Sequence, residues 1–264
     1  SRASDPCSPL PGKSPMSGRL LNSTLLLTLS SFPSLGLLLT AALGPFAGTS
    51  GNQVAFSRDG NLMAIAHNGT PFVSVYRRVG DSWSKLANPG TLPASTGNGA
   101  AWSSDGAFLA VAHATTPFVT IYSVAGDVLT KVTDPVALPA AAGRSAAFSP
   151  DTNFLAIGHD TTPFVTVYSR SGSVFTKLTD PVSLPAASGS GVAWSSNDYL
   201  AVAHGTSPYV TIYTKSGSGS GSTLAKATDP STLPTGTGTD VAGTADGSYF
   251  FVAHNTTPYL SCYK

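Results

Sequence analysis

Residues Ala110–Tyr122 read AVAHATTPFVTIY, and this phrase decides the fold because the chain repeats it. It recurs as AIAHNGTPFVSVY at Ala64–Tyr76, AIGHDTTPFVTVY at Ala156–Tyr168, AVAHGTSPYVTIY at Ala201–Tyr213 and VAHNTTPYLSCY at Val252–Tyr263. Each copy carries one of the five histidines, His67, His113, His159, His204 and His254, at spacings of 46, 46, 45 and 50 residues. A second phrase precedes each copy: VAFSRDG, AAWSSDG, AAFSPDT, VAWSSND and a decayed VAGTADG. A third follows the first four copies and ends in LANPGTLPA, VTDPVALPA, LTDPVSLPA or ATDPSTLPT. The longest spacing comes from extra Gly and Ser at Ser216–Ser222. Agreement in order, spacing and residue type marks a repeat architecture.

One repeat divides into four short strands rich in Val, Ile, Phe, Tyr and Thr. In the second copy they are expected at Ala100–Ser103, Phe108–His113, Phe118–Tyr122 and Val128–Val132. Asp105-Gly106 supplies tight-turn chemistry between the first two, and the Pro/Ala/Gly-rich segment 134–143 crosses to the next unit. Four strands in a unit of about 46 residues describe a β-propeller blade. The expected fold is an all-β, five-bladed β-propeller of four-stranded blades.

Composition agrees. All 13 acidic residues are Asp, Glu is absent, Gln53 is the single Gln, and Gly (27) and Pro (20) are abundant, which excludes a mostly helical fold. With charged residues at 10% and a net charge of +1, the chain lacks the basic footprint of a nucleic-acid-binding protein.

The phrases FSRDG, WSSDG and FSPDT resemble the first hairpin of WD-repeat and TolB-type propeller blades. The longer run from FSPDT through HDTTPFVTVY to LTDPVSLPA is similar to repeats of uncharacterised phage and bacterial propeller proteins. The resemblance covers about Asn52 to Lys264 and departs from true WD repeats, since Tyr122, Tyr168 and Tyr213 stand where the Trp-Asp pair would end the third strand. It implies a scaffold or binding surface, because one fold hosts many functions.

The fifth repeat stops at Lys264 after its third strand, which leaves a sheet edge to be completed. The segment Leu43–Gly48 matches the crossover of later repeats, so Leu37, Leu38 and Leu39 fall where a fourth strand belongs. An N-terminal arm completing the last blade through these residues is therefore expected. The organisation becomes an arm over 1–35 and a propeller over 36–264. The apolar stretch 22–29, with Leu25, Leu26, Leu27 and Leu29, is a surplus strand. It either packs as an outer strand on its own blade or pairs with the edge of another subunit, giving a ring, filament or virion component. Pro33, Gly36 and the Ser/Thr content argue against reading residues 20–44 as a membrane span, although these carry no charge. Cys7 and Cys262 offer a disulfide between arm and last blade, with a free buried thiol at Cys262 as the alternative. Low charge, a Ser/Thr-rich surface and that pair together point outside the cell, to a cell surface or a virion.

Chemistry is weighed against these structural roles. Five histidines at equivalent positions of five blades cannot converge on one metal ion, so each is expected to hydrogen-bond a Ser or Thr of a neighbouring strand. Asp59, Asp105, Asp151 and Asp246 recur in the first turn, and Asp134, Asp180 and Asp229 recur before Pro in the crossover. Both sets are turn residues, and neither singles out the carboxylate pair of a glycosidase. No catalytic residue, metal or cofactor is assigned, and the chain reads as non-enzymatic. The repeated aromatics Phe56, Trp102, Phe148 and Trp194, and Phe72, Phe118, Phe164, Tyr209 and Tyr259, read as core, with a lectin-like stacking role as the alternative. Trp83 and the Arg77–Arg78 pair break the repeat and are candidate partner contacts. Asn22, Asn68 and Asn255 head N-glycosylation sequons. The reading is a self-assembling structural propeller, with glycan or receptor binding as the alternative.

Overall fold

A computed structural model describes residues 50–244 and 246–264. It shows five antiparallel sheets in a β-propeller arrangement. Blade 1 holds β1 (Gly51–Phe56), β2 (Leu62–His67), β3 (Val73–Val79) and β4 (Ser82–Lys85). Blade 2 holds β5 (Gly97–Trp102), β6 (Phe108–His113), β7 (Val119–Ala125) and β8 (Val128–Lys131). Blade 3 holds β9 (Gly143–Phe148), β10 (Phe154–His159), β11 (Val165–Ser171) and β12 (Val174–Lys177). Blade 4 holds β13 (Gly189–Ser195), β14 (Tyr199–His204), β15 (Val210–Ser216) and β16 (Thr223–Lys226). Blade 5 shows β17 (Gly238–Gly243), β18 (Phe250–His254) and β19 (Leu260–Tyr263), three strands among the described residues. Within each sheet the strands pair in sequence order, as a meander.

The first strand of each blade begins earlier than expected; in blade 2 it spans Gly97–Trp102 rather than Ala100–Ser103. A β-bulge causes the difference. Gly97 pairs with His113 and Gly99 with Ala112, leaving Asn98 unpaired, and the same slip recurs at Asn52, Arg144, Ser190 and Thr239.

Alternation along each strand gives every blade two apolar faces. One, here the leading face, carries Ala100, Trp102, Leu109, Val111, Tyr122 and Leu129 in blade 2 and packs on blade 1. The opposite, trailing face carries Ala101, Phe108, Ala110, Ala112, Val119 and Ile121 and packs on blade 3. The pattern repeats from blade 3 to blade 4 and from blade 4 to blade 5. The innermost strands follow it, with β1 against β5, β5 against β9, β9 against β13 and β13 against β17; no contact of that extent joins β17 to β1.

The recurring phrase now has a physical account. The five histidines are buried, and each Nε2 lies 2.9–3.1 Å from the hydroxyl of Ser74, Thr120, Thr166, Thr211 or Ser261 on the neighbouring third strand. Pro71, Pro117, Pro163, Pro208 and Pro258 all follow cis peptide bonds. The next residue, Phe72, Phe118, Phe164, Tyr209 or Tyr259, takes a left-handed conformation with φ of 66–68°. These aromatics therefore lie in the turn before the third strand and are half-buried or exposed, which corrects their reading as core. Their carbonyls accept the histidine N–H at 2.9–3.0 Å. The same carbonyls crowd Gly97, Gly143, Gly189 and Gly238 of the following blade, where a Cβ has no room.

Tyrosines close the outer part of each blade. The hydroxyls of Tyr122, Tyr168 and Tyr213 donate at 2.9 Å to the carbonyls of Thr91, Ala137 and Ser183 in the preceding crossovers. The turn aspartates bond as expected: Ser57, Ser103 and Ser149 donate to Asp59, Asp105 and Asp151 at 2.5–2.6 Å. The crossover aspartates Asp134, Asp180 and Asp229 pair with Lys131, Lys177 and Lys226 at 2.6–2.8 Å, partners the sequence reading did not assign. Cys7, Leu25, Leu26, Leu27, Leu29, Leu37, Leu38 and Leu39, and the expected division between residues 35 and 36, lie outside the described residues.

Candidate functional site

The repeat sets the background against which functional residues stand out. The bulge of each innermost strand pushes one side chain out of the ladder, and blade by blade these are Asn52, Asn98, Arg144, Ser190 and Thr239. Three of them bond forward to the first glycine of the next blade. Asn52 Nδ2 donates to the Gly97 carbonyl at 2.8 Å, Asn98 Nδ2 to Gly143 at 2.8 Å, and Ser190 Oγ to Gly238 at 2.6 Å.

Arg144 departs from this scheme. Its Nε and Nη2 donate to the two carboxylate oxygens of Asp160 at 2.7 and 2.9 Å, a bidentate pair. The bond to Asp160 raises the Arg144 pKa above its ordinary value. Ser188 Oγ in turn donates to the Asp160 carbonyl at 3.0 Å. Asn52, Asn98, Arg144, Asp160, Ser188 and Ser190 line one polar cavity of about 460 Å³. The sequence reading missed this site. A column-by-column comparison of the repeats would have shown it, since Arg144 stands where the other blades have Asn, Asn, Ser and Thr, and Asp160 where they have Asn68, Ala114, Gly205 and Asn255.

The repeated histidines do not converge. Burial pushes His113 down to about 4 and holds His67, His159 and His204 below their ordinary value, so the rings stay neutral near pH 7. Among the described residues no three His, Cys, Asp or Glu side chains gather in a way that could hold a metal ion. The first-turn carboxylates Asp59 and Asp246 are held at about 2 by their hydroxyl and backbone donors. Of the repeat-breaking residues in blade 1, Arg77 is a clamp between blades, bonding the Asp127 carboxylate and, at 2.8 Å, the Gly126 carbonyl. Trp83 packs against Phe56 with ring centres 5.8 Å apart.

A second region lies on blade 5, which shows three strands among the described residues. In blades 2, 3 and 4 an apolar residue of the fourth strand, Leu129, Phe175 or Leu224, completes the packing on the preceding blade. Blade 5 shows no such strand among the described residues. Beside β19 lies a cavity of about 250 Å³ whose lining includes Tyr199, Ile212, Tyr249, Phe250 and Tyr263. The Tyr263 hydroxyl, equivalent to those of Tyr122, Tyr168 and Tyr213, is buried there without reaching a crossover carbonyl among the described residues. Cys262 sits on the same strand, opposite Phe251.

No helix among the described residues is long and apolar enough to cross a membrane. No family model and no curated protein matches the chain. Its fold does match solved structures. Hydrazine synthase from Kuenenia stuttgartiensis aligns with a TM-score of 0.59 and 15% identity over 83% of this chain and 59% of that one. A chain of a mitotic checkpoint complex gives 0.59 and 17% over 81% and 63%. A putative 6-phosphogluconolactonase from Bacteroides uniformis gives 0.60 and 17% over 82% and 67%. The chain thus spans about three fifths of the length of the first two. At these identities the likeness is one of fold alone, in keeping with the β-propeller arrangement of the five sheets.

Proposed function

We propose that this chain is a non-enzymatic structural propeller that assembles with copies of itself through strands of its N-terminal region, outside the cell or on a virion surface. The observation that carries the reading is the outer edge of β19, which pairs with no further strand among the described residues and lies beside the apolar cavity lined by Tyr199, Ile212 and Tyr263. An open strand edge is a template for another strand. Leu37, Leu38 and Leu39 are the strand assigned to the fourth position. Leu25, Leu26, Leu27 and Leu29 form the surplus strand that pairs with a neighbouring copy. A surface low in charge adds little repulsion against such association.

Light scattering behind size exclusion, with electron microscopy, tests this on the full chain, on a chain lacking residues 1–31 and on full-length Leu27→Asp. The expected result is large assemblies for the full chain and monomers for both variants, each retaining the same β-sheet circular dichroism. Monomers throughout, or assemblies throughout, contradict the role of the strand.

The Arg144–Asp160 cavity favours a second reading, recognition of a glycan. Carboxylate, guanidinium, amide and hydroxyl groups around one open polar space match the alternating donors and acceptors of a sugar. On this reading the full chain binds a member of a glycan array, and Arg144→Ala loses that binding at least tenfold while its melting temperature holds. An array on which the full chain binds nothing removes the reading.

A further inference from the structure

The polar cavity that Arg144 and Asp160 share with Asn52, Asn98, Ser188 and Ser190 keeps both donors and acceptors after its internal bonds are counted. Asn52 and Asn98 each give one amide N–H to the first glycine carbonyl of the following blade, at 2.8 Å. Their Oδ1 atoms accept no hydrogen bond among the described residues, and each amide retains a second N–H. Ser190 donates to the Gly238 carbonyl at 2.6 Å and Ser188 to the Asp160 carbonyl at 3.0 Å, which leaves both hydroxyl oxygens as acceptors. The cavity has about 460 Å³, within the range of small-molecule sites at about 300–1,000 Å³.

Charge is the discriminating property. Arg144 and Asp160 are the only charged residues of the lining, and they close on each other through Nε and Nη2 at 2.7 and 2.9 Å. The pair carries no net charge. A charged ligand has to open it, and strands whichever partner it does not bind. An uncharged hydroxyl avoids that cost, because it donates to the lone pairs that Asp160 has left and accepts from the remaining guanidinium N–H groups. The two residues occur together in one blade only. At the position of Arg144 the other blades carry Asn52, Asn98, Ser190 and Thr239, and at that of Asp160 they carry Asn68, Ala114, Gly205 and Asn255. Neither charge is present without the other. The pair stands on blade 3, which packs between the four-stranded blades 2 and 4.

We infer that this cavity takes an uncharged sugar, a neutral hexopyranoside, and rejects uronic and sialic acids, with Asp160 setting the selection by neutralising Arg144. The inference rests on the glycan reading given above and names the class of sugar.

Saturation-transfer NMR of the full chain tests it, with methyl glycosides of glucose, galactose and mannose as neutral probes and those of glucuronic and galacturonic acid as anionic ones. The wild type is expected to bind at least one neutral glycoside at least tenfold more tightly than either uronate. Asp160→Asn is expected to reverse that preference, since Asn stands at the same position in blades 1 and 5 and leaves the Arg144 charge unpaired. Asn98→Ser keeps a donor for the Gly143 carbonyl, as Ser190 does for Gly238, and is expected to lose neutral-sugar binding at least fivefold at an unchanged melting temperature. A wild type silent with every neutral glycoside, or one that takes a uronate as tightly, overturns the inference, as does an Asp160→Asn chain with the wild-type preference. The two readings fail separately. A glycan array on which the wild type binds acidic glycans alone keeps the glycan reading and ends this one, whereas an array on which it binds nothing ends both.

Discussion

Gly143→Ala is expected to cost about 3 kcal/mol of folding stability, at the upper end of what overpacking costs. A Cβ there would stand 2.5 Å from the Phe118 carbonyl oxygen and 3.0 Å from the Ala112 Cβ, both in the preceding blade. Neither neighbour is free to give way. The Phe118 carbonyl accepts the His113 N–H at 2.9 Å, and Ala112 is buried in the core shared by blades 2 and 3. Gly97, Gly189 and Gly238 meet the carbonyls of Phe72, Phe164 and Tyr209 in the same way, so the effect recurs around the propeller. Gly90→Ala is the control: nothing lies within 4 Å of a Cβ there, and its change should stay within about 0.5 kcal/mol. Urea unfolding followed by circular dichroism measures both. Equal losses at Gly143 and Gly90 would show that the approach of Gly143 to the Phe118 carbonyl does not hold the blades in register.

The second large effect is acid sensitivity above the carboxylate range. His113 is held near 4 in the folded chain against 6.5 for the free side chain, with burial as the main cause. His67, His159 and His204 are shifted in the same direction by the same cause. As pH falls, the unfolded chain binds these protons first. The stabilisation is therefore complete above about pH 6.5 and is lost as pH falls through that value towards 4. His113 alone contributes about 3 kcal/mol on this scale. The turn carboxylates Asp59 and Asp246 act in a separate and lower window, since their ordinary value is 3.8 and the fold holds them at about 2. Urea unfolding at pH 7.0, 5.5 and 4.5 is expected to show a steep loss of stability over that range. His113→Gln, which keeps a polar group facing the Thr120 hydroxyl, should flatten the dependence. A wild-type stability that does not change between pH 7.0 and 4.5 would refute the assignment.

Much of the fold is legible in the sequence because a repeat presents each physical constraint several times. The His-to-hydroxyl bond across two strands, the Asp in the first turn and the Asp-Pro crossover are local patterns whose partners lie at fixed offsets. The glycine that opens each blade could be seen but not explained, since its constraint comes from a carbonyl 25 residues earlier, as with Phe118 and Gly143. The aromatics after the cis prolines read as strand residues because their side chains suit one. The left-handed φ that puts them in the turn leaves no trace in residue type.

Arg144 and Asp160 are hidden in the sequence for a different reason. Each looks ordinary beside its chain neighbours, and they become a pair only when the bulge turns Arg144 out of the β9 ladder towards the end of β10. The exposure of Val54, Phe56 and Leu260 is invisible to pattern reading, because these residues are as apolar as their buried counterparts. Only the packing of the blades shows which apolar side chains are covered and which are exposed.

Sedimentation velocity of the full chain over a hundredfold range of concentration tests the central claim most directly. Self-assembly through the N-terminal strands predicts a weight-average mass that climbs with concentration well beyond that of one 26.8 kDa chain. A single monomeric species at every concentration would contradict it.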